Sequence, residues 1–459
     1  MTDHGSSKLF FLPEHRLGYI PASTGGQQAR EVYIVDGLRT PFLKAKGVPG
    51  DFSASDLAVA AAKPLLLRQS FAPEDLDEVI LGCVIPSPDE ANIARIVALR
   101  LGCGESVPAF TVQRNCATGM QAIDTAAMNI ATGRSDLVLA GGTESMSHAP
   151  LLLREQLVRT LGKWKKAKGI SASFRSLKAL RPAHFAPDIA LLHGLTDPLS
   201  GLSMGQTAEN LATRFQIHKE AMDSYAHNSN LRLIKAQDAG VLQEIIPVFN
   251  NKGRFFDADD GVHRDSSMEK LGKLRPMFDR GFGNITAGNS AQVTDGAAML
   301  LLASKEAVER YKLSVLGRLH DCNWAGLSPD QMGLGPVYAM GPLLQRNGLK
   351  ATDVDYWEIN EAFAAQVLAC LAAWEDEEFM RNEVGVEALP DPIPMNRLNV
   401  EGGAIALGHP VGASGARLVL HLLHVLRRNS AHVGVASLCI GGGQGGAMLL
   451  EALSEEDAS

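Results

Sequence analysis

Residues 113–120 read Gln-Arg-Asn-Cys-Ala-Thr-Gly-Met, and the apolar residues that follow recur at helical spacing. Ala117, Met120, Ile123, Ala127, Ile130 and Ala131 lie three and four apart, which predicts a buried helix starting near Ala117. Leu137-Val138-Leu139-Ala140 then reads as a core strand ending at Ala140-Gly141. The same order returns near the C-terminus. His409 precedes a helix-periodic stretch from Ala416 to Leu426, and the apolar run Val433 to Leu438 reads as a buried strand ending near Cys439. Cys116 stands 24 residues before Ala140 and His409 stands 30 before Cys439, spacings that fit two related halves with a loop insertion. Val32-Tyr33-Ile34-Val35 and Glu78-Val79-Ile80-Leu81 read as further core strands, with helical stretches between strands, as near Leu57 to Leu67. This alternation predicts an α/β fold.

The chemistry-bearing residues sit at the joints of that pattern. Asn115 reads as an N-cap, which places Cys116 in a first helical turn, where free N–H groups and the dipole lower a thiol pKa. A cysteine there is otherwise a small buried hydrophobe. Three further motifs change that balance. Residues 402–415, Gly-Gly-Ala-Ile-Ala-Leu-Gly-His-Pro-Val-Gly-Ala-Ser-Gly, present the His409 imidazole at another helix start. The imidazolium is disfavoured there, so His409 is expected neutral and able to take a proton. Residues 437–445, Ser-Leu-Cys-Ile-Gly-Gly-Gly-Gln-Gly, put Cys439 where a strand runs into a glycine loop. Asn360-Glu361-Ala362-Phe363 follows the strand-like Tyr356-Trp357-Glu358-Ile359. Singly these are glycine turns, a core cysteine and a capping asparagine; together and in this order they describe a catalytic site.

Composition sets outer bounds. The chain has 459 residues, 46% of them hydrophobic, and a formal net charge of −8, which suits two or three domains with ample core. The acidic balance opposes nucleic-acid binding. Six cysteines, at 83, 103, 116, 322, 370 and 439, lack metal-ligand spacing, so no metal is expected and a reducing, cytoplasmic compartment is. No apolar run is long enough to span a bilayer. Residues 1–28 lack a signal-peptide core and read as a surface arm. One segment opposes the overall charge: residues 154–181 hold nine Lys or Arg against the single acid Glu155, beside a stripe of Leu153, Leu157, Leu161 and Trp164. It reads as a solvated basic face, as an interfacial element on an anionic membrane, or as a site for the phosphates of a ligand.

These motifs, with Gly141-Gly142-Thr143-Glu144-Ser145-Met146-Ser147, Met204-Gly205-Gln206-Thr207-Ala208-Glu209-Asn210 and Thr286-Ala287-Gly288-Asn289, resemble those of the thiolases over Glu31 to Glu451. The resemblance implies a duplicated, five-layered α-β-α-β-α core with a mainly helical loop domain inserted in the first half. The implied boundaries are 29–146 with 280–303 for the first half, 147–279 for the loop domain and 304–459 for the second half. It implies thiolytic cleavage of 3-oxoacyl-CoA, with CoA and acyl-CoA as substrates and no permanently bound cofactor. Cys116 would be the nucleophile, His409 its base, and Cys439 the second acid/base. One oxyanion hole would use His409 and a water held by Asn360; the other would use the backbone N–H groups of Cys116 and Gly441. Met204, Ser290, Ala362 and Phe363 would contact the CoA substrate.

The basic insertion and the segment from Trp374 to Pro394 are similar to the trifunctional-complex β-subunit type. That type implies a homodimer or homotetramer, an α subunit with hydratase and dehydrogenase activities, and a peripheral membrane contact. Ser203 and Ala291 stand where many biosynthetic thiolases carry His and Ser, which favours degradation of longer chains over acetoacetyl-CoA chemistry. The alternatives are an acetyl-CoA C-acetyltransferase and a membrane-associated scaffold subunit. A ketoacyl synthase typically replaces the second cysteine with histidine or asparagine, and Cys439 argues against it.

Overall fold

Strands buried on both faces need helices above and below them. The computed structural model describes residues 30–178, 180–387 and 391–453; the expected arm at 1–28 lies outside the described residues. The principal strands are β1 (Tyr33–Arg39), β2 (Glu78–Gly82), β3 (Ala109–Val112), β4 (Leu137–Ser145), β5 (Thr294–Ala303), β6 (Gly317–Gly326), β7 (Tyr356–Ile359), β8 (Val433–Ile440) and β9 (Gln444–Ala452). They pair in the order β7-β8-β9-β6-β1-β5-β4-β2-β3. In the first half β1–β5 and β5–β4 are antiparallel and β4–β2 is parallel. In the second half β6–β9 and β9–β8 are antiparallel and β8–β7 is parallel. The two halves repeat one topology. Only Tyr33 with Arg318 and Ile34 with Gly317 pair β1 to β6.

The principal helices are α1 (Ala54–Leu67), α2 (Ile93–Leu101), α3 (Thr118–Ala131), α4 (Glu155–Lys166), α5 (Ile170–Leu177), α6 (Met204–Arg214), α7 (Lys219–Asp238), α8 (Gly335–Arg346), α9 (Ala364–Glu375) and α10 (Val411–Arg428). Period-two alternation along the strands sorts the core into three slabs. Leu137 and Leu139 of β4 pack with Leu57 and Leu65 of α1 and Val97 of α2. The intervening Val138 and Ala140 face the opposite way, into a slab with Met120 and Ile123 of α3, Leu418 and Leu422 of α10, and Leu438 of β8. Leu449 of β9 packs outward with Val337 and Met340 of α8 and Val367 of α9. The layers are therefore helix, sheet, helix, sheet, helix.

The middle layer explains the apolar run after His409. Fifteen of the 18 residues of α10 are buried, as befits a helix enclosed on all sides. Its N-terminal end presses on β4: a Cβ on Gly142 would lie 1.9 Å from the Gly412 carbonyl oxygen. That contact also corrects an expected boundary. β4 continues past Ala140-Gly141 to Ser145, because Gly141–Ser145 pair in register with Met299–Asp295 of β5. The glycine pair serves close approach, not a turn.

The duplication also locates the insertion. In the second half β8 reaches β9 through residues 441–443, whereas in the first half the same connection, residues 146–293, carries α4 to α7. Glu361 ties α7 to the core: its carboxylate accepts from Tyr225 Oη at 3.0 Å, Ser229 Oγ at 2.6 Å, Asn399 Nδ2 at 3.1 Å and the Ile405 backbone N–H at 3.2 Å. Among the described residues no helix is long and apolar enough to cross a membrane.

Candidate active site

Cys116 lies between the edge strand β3 and α3, and its local structure departs from the sequence expectation. The helix starts at Thr118, so Cys116 stands before the first turn. Asn115 does not cap it. The chain must reverse sharply after β3, and Asn115 makes the reversal in a left-handed conformation, φ +43°. Backbone bonds from Ala117 to Arg114 and from Thr118 to Asn115, both 3.0 Å, close the turn around the cysteine. The Asn115 side chain donates instead to the Gly441 carbonyl at 2.8 Å. The thiol pKa is also corrected. Burial pushes it up, while the Gly441 and Cys116 backbone N–H groups oppose the rise and Glu144 adds to it. A resting thiol follows, and its activation requires a base.

The expected base is His409, which lines the same cavity as Cys116. Its backbone N–H donates to Gln292 O at 3.0 Å, and Nδ1 lies 2.6 Å from Ser414 Oγ. The Ser414 hydroxyl donates to the Pro410 carbonyl at 3.0 Å, so it accepts from Nδ1–H. That tautomer makes Nε2 an acceptor. Burial, with a smaller effect from Arg417, brings the His409 pKa down to about 4, in line with the expectation of a neutral imidazole. Asn360 Nδ2 lies 3.5 Å from His409 Nε2. Asn360 Oδ1 is buried without a hydrogen-bond partner among the described residues, the arrangement that an expected bound water would complete.

Cys439 lies near the end of β8 and is 1% exposed. Burial pushes its thiol well above the ordinary value, and the neighbouring Cys116 adds to that rise. Cys116, His409 and Cys439 line one cavity of about 810 Å³. Met204, Ser290, Ala362 and Phe363 line it as well, whereas Asn360 and Gly441 stand behind its wall. Ser290 Oγ donates to the Thr286 carbonyl at 2.7 Å, and Ser203 Oγ caps α6. Both hydroxyls are thereby held in place. The remaining wall is largely apolar, with Leu195, Met277, Phe278 and Met332, and Lys44, His263 and Lys270 add cationic or polar groups.

Sequence reading missed three supports of this site. Ser414 sets the His409 tautomer from the first turn of α10; its place five residues after the histidine was the only signal. Glu361 fastens the insertion to the loop before His409. Glu144 accepts from the Val84 and Ile85 N–H groups at 2.9 and 3.0 Å, and burial raises its pKa to about 7.

Comparison with known proteins agrees with the geometry. The family model described as "Thiolase, N-terminal domain" matches residues 32–306, and "Thiolase, C-terminal domain" matches residues 313–452. The chain is 36% identical over 434 residues to a 3-ketoacyl-CoA thiolase of Photorhabdus laumondii, covering 94% of this chain and 99% of that protein. It is 36% identical over 424 residues to the mitochondrial trifunctional enzyme subunit beta of Bos taurus, covering 92% and 88%. Human mitochondrial 3-ketoacyl-CoA thiolase in complex with CoA superposes with a TM-score of 0.79 at 36% identity, covering 94% of this chain and 100% of that one. An acetyl-CoA acetyltransferase from Syntrophomonas wolfei gives 0.81 at 33%, covering 93% and 100%. With both halves matched, the sheet order duplicated and two thiols and an imidazole gathered at one cavity, the chain belongs to the thiolase family of acyltransferases.

Proposed function

We propose that the protein cleaves 3-oxoacyl-CoA with CoA, releasing acetyl-CoA and a shortened acyl-CoA. The observation that carries this reading is the convergence of Cys116, neutral His409 and Cys439 on one largely apolar cavity. His409 Nε2 takes the Cys116 proton, and the thiolate attacks the 3-carbonyl carbon. The N–H groups of Cys116 and Gly441 hold the resulting oxyanion. The Cα–Cβ bond then breaks, leaving the acyl group on Cys116. The departing acetyl-CoA carbanion, stabilised as its enolate by His409 and the Asn360 water, takes a proton from Cys439. The Cys439 thiolate next deprotonates CoA, whose sulfur attacks the acyl-Cys116 thioester. Cys116 leaves as thiolate and recovers its proton from His409. Every proton returns to its starting group.

The longer-chain, degradative reading rests on the apolar wall and on Ser203 and Ala291, which stand where many biosynthetic thiolases carry His and Ser. Thiolysis measured across 3-oxoacyl-CoA chain lengths should show kcat/KM rising from acetoacetyl-CoA to longer substrates. A maximum at acetoacetyl-CoA would leave the acetyl-CoA C-acetyltransferase in its place. A reducing, cytoplasmic compartment would keep both catalytic thiols available, and a second copy of the chain in a homodimer or homotetramer is part of this proposal.

A second reading concerns the insertion. Around Lys163, Lys165, Lys166 and Lys168, the side chains of Leu153, Val158, Trp164, Ile170 and Phe174 are exposed, Ile170 by 89%, while Leu157 is buried. Of the expected stripe, Leu157 alone is buried and Leu153, Leu161 and Trp164 are exposed, and Ile170 and Phe174 of α5 are exposed as well. We infer that this face rests on an anionic bilayer, beside an α subunit of a β-oxidation complex. Each basic residue near such a surface contributes about 1 kcal/mol, weakened by salt. Replacing the four lysines with Glu should abolish flotation with anionic liposomes at low salt and leave kcat for a short substrate unchanged. Failure of the unaltered protein to float would rule out the membrane contact, and a raised KM for CoA would assign the charge to the substrate.

A further inference from the structure

The Cys116 turn and the 441–443 turn come from opposite halves of the chain and meet through one side chain. Asn115 Nδ2 donates to the Gly441 carbonyl at 2.8 Å while Asn115 itself holds φ +43°. Left-handed backbone is uncommon outside glycine, and asparagine is among the residues that accept it best. The far end of the 441–443 turn is fixed separately. The Gly443 carbonyl accepts from Leu327 N–H at 2.8 Å, and a Cβ on Gly443 would lie 2.2 Å from the Leu327 carbonyl oxygen. The Gly441 end has no such packing: a Cβ there would meet nothing nearer than Met204 Sδ at 3.4 Å. Asn115 is thus the hydrogen-bonded anchor of that end, and it is the residue directly before Cys116.

We propose that Asn115 is a positioning residue for acyl transfer: by holding the Gly441 carbonyl it keeps the Gly441 N–H aimed at the sulfur of Cys116 and at the oxyanion that forms beside it. This rests on the thioester reading of Cys116. Asn115 touches no reacting atom. Its effect passes through Gly441, so it governs how well the site binds negative charge and leaves CoA binding alone.

Asn115→Gly keeps the left-handed turn and removes the donor. We expect kcat to fall about tenfold, a part of the roughly 10²–10³ that loss of a whole donor costs. KM for CoA should stay within about twofold, and the pH midpoint for alkylation of Cys116 by iodoacetamide should rise by about one unit, the equivalent of a tenfold weaker hold on the thiolate. Asn115→Ser, too short to reach the carbonyl, should show the same two changes and serves if the glycine variant does not fold. Unaltered kcat and midpoint in a folded variant would overturn the proposal. So would a lower kcat and Tm with an unmoved midpoint, which marks a mere tether. Failure of the thioester reading is separately visible, as absence of an acyl adduct on Cys116 in the unaltered protein.

Discussion

Cys116→Ala should abolish thiolysis and acylation together, with kcat/KM lower by about 10⁴-fold or more, because the thiol left in the cavity, Cys439, lacks the Gly441 N–H that would hold an oxyanion beside it. Cys439→Ala should behave differently. Cys116 and His409 remain, so the variant is still acylated, but no group protonates the departing carbanion or deprotonates CoA. Turnover then falls by roughly 10²–10⁴, the usual worth of a positioned acid/base. Incubation with labelled acyl-CoA followed by mass spectrometry separates the two. The adduct should lie on Cys116 in the unaltered enzyme and in Cys439→Ala, and nowhere in Cys116→Ala. An adduct on Cys439 alone would reverse the two roles. The structure makes this contrast sharper than the sequence did. Both thiols are pushed up by burial and each has its own backbone N–H at its sulfur, but only Cys116 has the Gly441 N–H as well.

His409→Ala should lose more than a base. In the proposed mechanism the imidazole takes the thiol proton and, with the Asn360 water, stabilises the enolate oxygen, so two contributions disappear together and acyl transfer should slow by about 10⁴-fold or more. Asn360→Ala acts through a water and should cost less, about 10- to 100-fold. A kcat/KM near normal for the histidine variant would eliminate this mechanism. The pH profile offers a second check. His409 is held down to about 4 by burial, so its neutral, proton-accepting form persists as pH falls through 6 and 5 and is lost only near pH 4. Acylation in single turnover should therefore show no acid limb near 6.5, where an unperturbed histidine titrates. A limb at that pH would place His409 in wetter surroundings than the structure shows.

Much of this molecule was legible in one dimension. Apolar runs and helical patterns located β1, β2, β4, β7, β8, α1, α3 and α10, with β4 and α10 each five residues short at one end, and the helix-then-strand order after Cys116 and His409 allowed two related halves, which the thiolase resemblance turned into a duplication. Those signals survive in sequence because burial on one face or on both imposes a local period on side-chain type. Motif resemblance then joined Cys116, His409, Cys439 and Asn360, which no local period could have done. The neutral state of His409 was readable too, since its position and its burial act in the same direction.

What only the tertiary structure decided is how those residues are held and charged. The sequence offered Asn115 as a helix cap and Cys116 as a thiol lowered by a dipole. The fold turns Asn115 toward Gly441, 326 residues away, and encloses Cys116 so that desolvation outweighs the N–H groups around it. Likewise Ala140-Gly141 looked like a strand end, and only the packing of Gly141 on Ala298 and Met299 of β5 and of Gly142 on Gly412 of α10 shows why two glycines continue the strand. Hydrophobic period and motif are properties of neighbours along the chain, so the sequence by itself determined the α/β alternation and, through its resemblance to the thiolases, the expected layers, duplication and candidate reacting groups. Desolvation, long-range hydrogen bonds and backbone approach are set by neighbours in space, so the raised pKa of Cys116, the tautomer of His409 and the aim of each group came from the folded structure alone.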